Sequence, residues 1–186
     1  MSSRLLLITG PAGAGKSTVA SEWASSGDER RVHLSLDSFR HMVKSGFLDP
    51  KYGWSDEVQL QLEIARANVA SVAARYLNTG YQVVVDDALF PDWEAVGLGP
   101  WRRVMAPIEV DLVALMPDWE VVVARDKGRA ADQQIPDEML RTIYDDMAGG
   151  RGKSDVLGID NSAMSVGGAG AGIERVVGGG WIRLIW

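Results

Sequence analysis

The eight residues from Gly10 to Ser17, with the sequence GPAGAGKS, constrain the fold of this chain more than any other segment. They fit the pattern G-x-x-x-x-G-K-[ST], in which glycines let backbone N–H groups turn inward around phosphate oxygens. An apolar run from Leu5 to Ile8, typical of a buried strand, comes before the motif, and a segment of helical character follows it. This context predicts a phosphate-binding loop, whereas an ordinary glycine-rich turn would not need the lysine and hydroxyl at these places.

The pattern assigns a contact to each residue type within this loop. Lys16 is predicted to reach the β- and γ-phosphates of a nucleotide, and Ser17 to ligate Mg²⁺. Backbone N–H groups and the positive end of the following helix supply the other phosphate contacts. The predicted nucleotide-binding residues are Gly10, Ala12, Gly13, Ala14, Gly15, Lys16, Ser17 and Thr18.

Composition excludes several classes of protein. A chain of 186 residues, 46% of them hydrophobic, suffices for one domain with a sizeable core. The absence of cysteine excludes disulfides and thiolate metal sites, and no apolar run reaches the length of about 18 residues that a membrane span needs. The net charge of −6 disfavours a nucleic-acid partner. Because the first strand begins close to Met1, with no room for a signal peptide, we expect a cytoplasmic location.

Strands and helices alternate along the chain. Apolar runs predict four strands and a short fifth, near residues 5–8, 31–35, 81–86, 110–115 and 156–159. Helical patterns predict helices near residues 37–44, 56–79, 117–127 and 137–147. Right-handed crossovers between parallel strands then give a three-layer α/β fold with helices on both faces of the sheet.

The chain is expected to divide into two parts. Residues 1–148 form the core, with a small lid near residues 125–136. Residues 149–186 are rich in glycine, a poor helix former, so they are expected to give the short fifth strand and a weak last helix. The apolar hexapeptide from Trp181 to Trp186 fits an edge strand, a packing anchor or a sticky end.

Two acids close the third strand, at the edge of the sheet where ligands bind in such folds. One of the two, Asp86 or Asp87, is predicted to hold Mg²⁺ beside Ser17, because carboxylates supply the oxygen ligands that this cation requires. The alternative is a pair of acids that caps the next segment. The period of two along a strand points the two acids apart, and it leaves open which of them serves the metal.

A further acid, Asp37, and an arginine, Arg40, follow the second strand. Asp37 is predicted to act as a base that orients an acceptor hydroxyl and takes its proton, although a helix N-cap is a role that it can also have. Arg40 lies three residues later and is predicted to bind the acceptor or the transferring phosphoryl group. The alternative for Arg40 is a surface ion pair.

Two further arginines lie at the end of the helix after the fourth strand. Arg125 and Arg129, followed by a polar loop, are typical of a lid that closes over a nucleotide and adds positive charge to it. The alternative is a solvated helix end whose cations stabilise the helix dipole. Tyr52, Trp54 and Trp93 fall in loops near the same edge, where they either line an acceptor pocket or pack in the ordinary way.

The order of these motifs resembles that of the P-loop kinase family. The segments Asp37-Ser38-Phe39-Arg40 and Val85-Asp86-Asp87 look most like antibiotic phosphotransferases of the chloramphenicol phosphotransferase type, and like gluconate and shikimate kinases. The resemblance implies a sheet order of 2-3-1-4-5, ATP and Mg²⁺ as cofactors, and transfer of the γ-phosphoryl group to a hydroxyl of a small molecule. It matches Asp37 to the base, although Ser35 stands where the last two kinases often carry an acid.

Two other functions remain open at this point. The Asp-x-x-Arg arrangement of Asp37 and Arg40 also resembles polynucleotide 5′-hydroxyl kinases, although the acidic charge and the lack of a basic stripe oppose that interpretation. A regulatory module that binds ATP without catalysis is the third possibility. The sequence defines neither the acceptor nor the oligomeric state.

Overall fold

In a computed structural model of the chain, the structure describes residues 5–26, 28–90, 96–106, 108–149 and 157–178. The described strands form one parallel sheet with the order β2-β3-β1-β4-β5, which confirms the order that the resemblance implied. The strands are β1 (Leu5–Thr9), β2 (Arg31–Ser35), β3 (Gln82–Asp86), β4 (Val110–Leu115) and β5 (Leu157–Ile159).

Helices cover both faces of this sheet and complete the predicted three-layer α/β architecture. They are α1 (Lys16–Ser25), α2 (Leu36–Arg40), α3 (Asp56–Asn78), α4 (Leu98–Met105), α5 (Trp119–Lys127), α6 (Asp137–Gly149) and α7 (Val166–Gly178). Short 3₁₀ helices span Pro50–Tyr52 and Ala131–Gln133. Among the described helices, α3 included, none combines the length and the apolar character that crossing a membrane requires.

The core lies on the two sides of β1, the central strand. Leu5 and Leu7 face a large cluster with α3, α4 and β3, whereas Leu6 and Ile8 face a smaller cluster with α1 and α7. All five residues of β1 are buried, because both faces of a parallel sheet are covered by helices. The register pairs Ile8 with Asp86 on β3, so the end of β1 lies beside the first of the two strand-closing acids.

Helix α4 is an element that the sequence reasoning missed. Gly97, Gly99 and Pro100 lie at its start and obscure the helical pattern. Its buried Trp101 and Met105 are four residues apart and pack in the large core cluster with α3. Helix α2 is shorter than predicted and ends at Arg40.

Helix α7 forms over 13 residues although five of them are glycine. Tertiary packing explains this, since Ala169 and Ile173 are buried in the smaller core cluster, to which Trp23 of α1 also belongs. Glu174 also forms an ion pair with Arg31 at 2.7 Å, which joins the helix to β2. The residues after 178, including the terminal hexapeptide, lie outside the described residues, as does Trp93.

Replacing a glycine of α7 by alanine is expected to stabilise the folded protein. A Cβ at Gly170 would meet no described atom within 4 Å, so Gly170→Ala is expected to raise the free energy of unfolding by about 0.5–1 kcal/mol. Ala171, which is exposed on the same helix, provides the matched reverse change, and Ala171→Gly is expected to lower it by a similar amount. Urea denaturation measures both values. A destabilised Gly170→Ala variant would show that this position has no room for a methyl group.

Candidate active site

The phosphate loop joins β1 to α1 and adopts a backbone that only glycine tolerates easily. Gly10, Gly13 and Gly15 all have positive φ angles, of 145°, 77° and 90°. A Cβ at Gly13 would also lie 2.6 Å from the carbonyl oxygen of Val122 on α5, so this glycine is required for close packing too. Together these constraints hold the loop at the carboxyl edge of the sheet, directly before the start of α1.

Lys16, the first residue of α1, folds back over this loop. Its Nζ donates hydrogen bonds to the carbonyl oxygens of Gly10 at 2.9 Å and Pro11 at 3.1 Å. Burial lowers the pKa of Lys16, and the carboxylates of Asp86, Asp37 and Asp87 partly oppose that effect by raising this pKa. The three predicted acids thus share one electrostatic neighbourhood with the ammonium group.

Asp86 is held between β2 and the phosphate loop. Its Oδ1 accepts a hydrogen bond from the Ser17 hydroxyl at 2.9 Å, and the Ser35 hydroxyl lies 3.5 Å from the same oxygen. Its Oδ2 lies 2.5 Å from Nε2 of His33. Only 3% of Asp86 is exposed, so these side chains fix a buried carboxylate beside the hydroxyl of the phosphate loop.

Asp87 points to the other side of the sheet and contacts different helices. Its Oδ2 accepts hydrogen bonds from Arg66 Nη2 on α3 at 3.0 Å and from Trp101 Nε1 on α4 at 2.7 Å. All three side chains are buried. A buried ion pair of this kind is costly to break, since removing one partner typically costs about 3–5 kcal/mol. Asp87 therefore anchors the segment after β3 to α3 and α4, while Asp86 lies at Ser17.

Asp37 and Arg40 lie together on α2, directly after β2. Arg40 Nη1 donates a hydrogen bond to Asp37 Oδ1 at 3.0 Å. The Asp37 side chain is 64% exposed, whereas that of Arg40 is 13% exposed, and the guanidinium group lies 5.4 Å from the centre of the Phe47 ring. The Arg40 guanidinium group is thus mostly shielded from solvent, while the carboxylate that it contacts is accessible.

Arg125 and Arg129 do not share a helical face, because α5 ends at Lys127. Arg125 lies against the phosphate loop, where its guanidinium group donates to the carbonyl oxygens of Ala14 at 3.5 Å and Asn161 at 3.3 Å. Asn161, which follows β5, is buried and its Nδ2 also donates to the Ala14 carbonyl at 3.0 Å. The loop, α5 and the turn after β5 are therefore joined at Ala14.

Arg129 begins the segment that was predicted to be a lid. Its Nη1 donates to Oδ1 of the buried Asp126 at 3.3 Å, and Asp126 Oδ2 accepts a hydrogen bond from the backbone N–H of Ile135 at 3.1 Å. A single carboxylate thus connects both ends of the segment. Arg129 also reinforces the lowering of the Lys16 pKa, so its charge acts on the phosphate loop. Lys51 donates to the carbonyl oxygen of Asp132 in the middle of the segment.

Aromatic side chains beside this segment are accessible. Tyr52 is 82% exposed and Trp54 is 49% exposed, so neither packs in the core. Lys51 lies 5.0 Å from the centre of the Tyr52 ring. Both aromatic residues lie in the loop that joins α2, the helix that carries Asp37, to α3, and they give this loop an accessible apolar surface.

Sequence reasoning missed three residues of this region, and each has a signal in the sequence. His33 lies two residues before Ser35 on a strand, which places both on the same side. Arg66 interrupts the buried stripe of α3, where a charge needs a partner. Asn161 follows β5 at the edge where ligands bind.

The donor set beside the phosphate loop fits a magnesium ion. The described residues contain no group of three or more His, Cys, Asp or Glu side chains that could hold a metal ion by themselves. Magnesium typically binds to one or two carboxylates, with substrate phosphates and water completing its six ligands. Ser17 and Asp86 supply such a hydroxyl and carboxylate, 2.9 Å apart, beside the loop that would hold the phosphates.

The sheet order and the phosphate loop define the P-loop kinase fold, and the chain belongs to the AAA domain family, whose profile matches residues 5–150. It matches no curated protein. Solved structures share the fold at low identity. Thymidylate kinase from Candida albicans has a TM-score of 0.70 and 15% identity, over 98% of this chain and 95% of that chain. A Deinococcus radiodurans tunicamycin resistance protein has a TM-score of 0.66 and 18% identity (95% and 96% of the two chains), and a Sinorhizobium meliloti gluconokinase has a TM-score of 0.61 and 17% identity (97% of each chain).

Proposed function

We propose that this protein is an ATP- and Mg²⁺-dependent kinase that transfers the γ-phosphoryl group to a hydroxyl of a small molecule. The observation that carries the proposal is the accessible Asp37 carboxylate, supported by Arg40 and close enough to Lys16 to affect its pKa. A module that only binds ATP has no need for a supported, solvent-accessible acid next to the phosphate loop. A transferase needs one, because the acceptor hydroxyl must be oriented and must lose its proton.

The phosphate loop and Lys16 would bind the triphosphate. Backbone N–H groups of the loop would bind the phosphate oxygens, and the Lys16 ammonium group, held by Gly10 and Pro11, would add positive charge where negative charge accumulates in the transition state. Ser17 and Asp86 would hold Mg²⁺, which neutralises charge on the β- and γ-phosphates when bound. Asp87 is excluded from this role in the proposal, because Arg66 and Trp101 already engage its carboxylate.

Asp37 would act on the acceptor. In the transfer step the acceptor oxygen forms a bond to the γ-phosphorus, the bond from that phosphorus to the β,γ-bridging oxygen breaks, and the hydroxyl proton passes to Asp37. ADP leaves with the bridging oxygen. Arg40 would hold the Asp37 carboxylate in place through their hydrogen bond. Arg125, Arg129 and the segment near residues 125–136 would form the lid that excludes water.

The accessible aromatic loop supports a small organic acceptor. Tyr52 and Trp54 offer apolar faces to a hydroxylated ring or chain, and the net charge of −6 opposes binding of a polynucleotide. The similar structures include a tunicamycin resistance protein and a gluconokinase. An antibiotic, a sugar acid or a related hydroxylated metabolite is the acceptor class that we propose.

An acceptor panel tests this proposal. The protein is incubated with ATP and Mg²⁺ and, separately, with hydroxylated antibiotics, sugar acids, shikimate-like alcohols and a 5′-hydroxyl oligonucleotide. Mass spectrometry then detects the phosphorylated product. We expect at least one small molecule to be phosphorylated and to speed ADP release. Phosphorylation of the oligonucleotide alone would establish the polynucleotide kinase instead, and ATP binding without any transfer would favour a regulatory module.

A further inference from the structure

We propose that His33 is a positioning residue that fixes the Asp86 carboxylate for the metal ion. This inference rests on the proposed function, since it concerns the residues that would hold Mg²⁺ there. Neither the phosphate-loop pattern nor the strand-closing acids point to His33. The contact between His33 and Asp86 is what assigns it this role.

Two features of the sheet bring His33 to Asp86: the register between β2 and β3, and the two-residue period of side chains along a strand. Ser35 on β2 lies directly opposite Asp86 on β3, and His33 lies opposite Val84, two residues earlier. Because residues two apart on a strand share a face, His33 and Ser35 approach the same carboxylate. Nε2 of His33 lies 2.5 Å from Oδ2, while the Ser17 and Ser35 hydroxyls lie 2.9 Å and 3.5 Å from Oδ1.

This division of contacts orients the carboxylate. With a proton on Nε2, which the neutral imidazole can carry, His33 donates to Oδ2 and occupies that oxygen. Oδ1 then stays toward Ser17, where a metal ion beside the phosphate loop would be bound. His33 is not itself a ligand in this arrangement, because its Nε2–H donates a hydrogen bond to Asp86 and so has no lone pair for a metal ion. Loss of such a partner of a metal-binding side chain typically weakens metal binding about 10–100-fold.

Three substitutions at His33 separate hydrogen bonding from packing. His33→Gln places an amide N–H near the position of Nε2, so it keeps the donor. His33→Asn carries the same amide on a shorter chain that does not reach Oδ2. His33→Leu keeps much of the volume and removes the donor altogether. His41, the other histidine of the chain, is exposed at the end of α2, and His41→Leu is the matched control.

The measurement is nucleotide binding, with and without metal. Titration calorimetry gives the dissociation constant of ADP in EDTA and in Mn²⁺, and electron paramagnetic resonance reports bound Mn²⁺ directly. We expect His33→Leu and His33→Asn to weaken Mn²⁺ binding in the presence of ADP by about tenfold or more. The metal-free ADP affinity should stay within about twofold of wild type. His33→Gln should retain most of the Mn²⁺ affinity, and His41→Leu should match the wild type.

Several results would overturn the role of His33. Wild-type Mn²⁺ affinity in His33→Leu would do so, as would equal losses with and without metal, which indicate a purely structural role. Equal losses in His33→Gln and His33→Asn would show that the donor is not what matters, and this pair decides the question if His33→Leu fails to fold. These measurements need no acceptor. A wild-type protein that binds Mn²⁺ as described but phosphorylates nothing would refute the kinase proposal and leave the His33 inference standing.

Discussion

Replacing Lys16 by alanine is expected to lower the rate of phosphoryl transfer by about 10³-fold. In the proposed function the ammonium group would stabilise negative charge on the phosphates, and removing a single preorganised donor of this type typically costs about 10²–10³-fold in rate. Lys16 is also the side chain that lies across the loop, bonded to two of its carbonyl oxygens. Initial rates with saturating ATP and an acceptor from the panel measure the effect. Lys44→Ala, which removes an exposed lysine, is the control and should be near wild type.

A second variant at this position tests whether the lower rate arises from unfolding of the protein. Burial lowers the pKa of Lys16 in the folded chain, so the charged form destabilises the folded state, and this destabilisation is removed progressively as the pH rises from the folded pKa to the unfolded pKa. Lys16→Met removes the charge and keeps the chain length. We therefore expect it to be inactive yet at least as resistant to urea as wild type at neutral pH. An active Lys16→Met variant would contradict the role of the charge.

Local sequence patterns were sufficient to predict the phosphate loop and the positions of the strands along the chain. The glycines at positions 10, 13 and 15 take up positive φ angles, and their spacing from Lys16 is fixed by the covalent chain. Continuous apolar runs identify strands with both faces covered, as in β1 and in the three valines of β3. The order of such strands follows from the family resemblance and not from the runs themselves, because a run carries no information about its neighbour.

Tertiary packing determined what the sequence could not show. Five glycines oppose a helix in α7, yet burial of Ala169 and Ile173 outweighs their cost. The strand period separates Asp86 from Asp87, but only the position of Arg66 on α3 shows which acid has a buried partner. Contacts of this kind join residues far apart in the chain, so neither periodicity nor spacing reports them.

Among the site residues, too, some follow from a local motif and others depend on tertiary contacts. Lys16 and Ser17 are assigned by a motif of fixed spacing, and in the structure they contact the Gly10 carbonyl oxygen and the Asp86 carboxylate. Arg125 and Arg129 were predicted from their place at the end of the helix after the fourth strand, and since α5 ends at Lys127 they lie on different elements and contact different partners. A lid function for the two arginines stays a prediction.

Replacing Asp37 by asparagine is expected to lower kcat by about 10²–10⁴-fold and to leave ATP affinity nearly unchanged. Asparagine has the same shape but does not take up the acceptor proton, and a positioned general base typically contributes a factor in this range. The Asp37–Arg40 pair is mostly exposed at the carboxylate, so its loss should change the free energy of unfolding by less than about 1 kcal/mol. A large fall in kcat therefore cannot arise from unfolding. The rate of acceptor phosphorylation and the ATP dissociation constant are the two measurements.

The comparison with a remote acid completes this test. Asp28 is exposed and precedes β2, at the opposite edge of the sheet from the phosphate loop, so Asp28→Asn removes the same charge without touching the site. It should leave both kcat and ATP affinity near wild type. If Asp37→Asn instead weakened ATP binding and left kcat intact, Asp37 would act on the nucleotide and not on the acceptor. The accessible carboxylate beside Lys16 would then belong to ATP binding, and the strongest support for phosphoryl transfer to a hydroxyl would be lost.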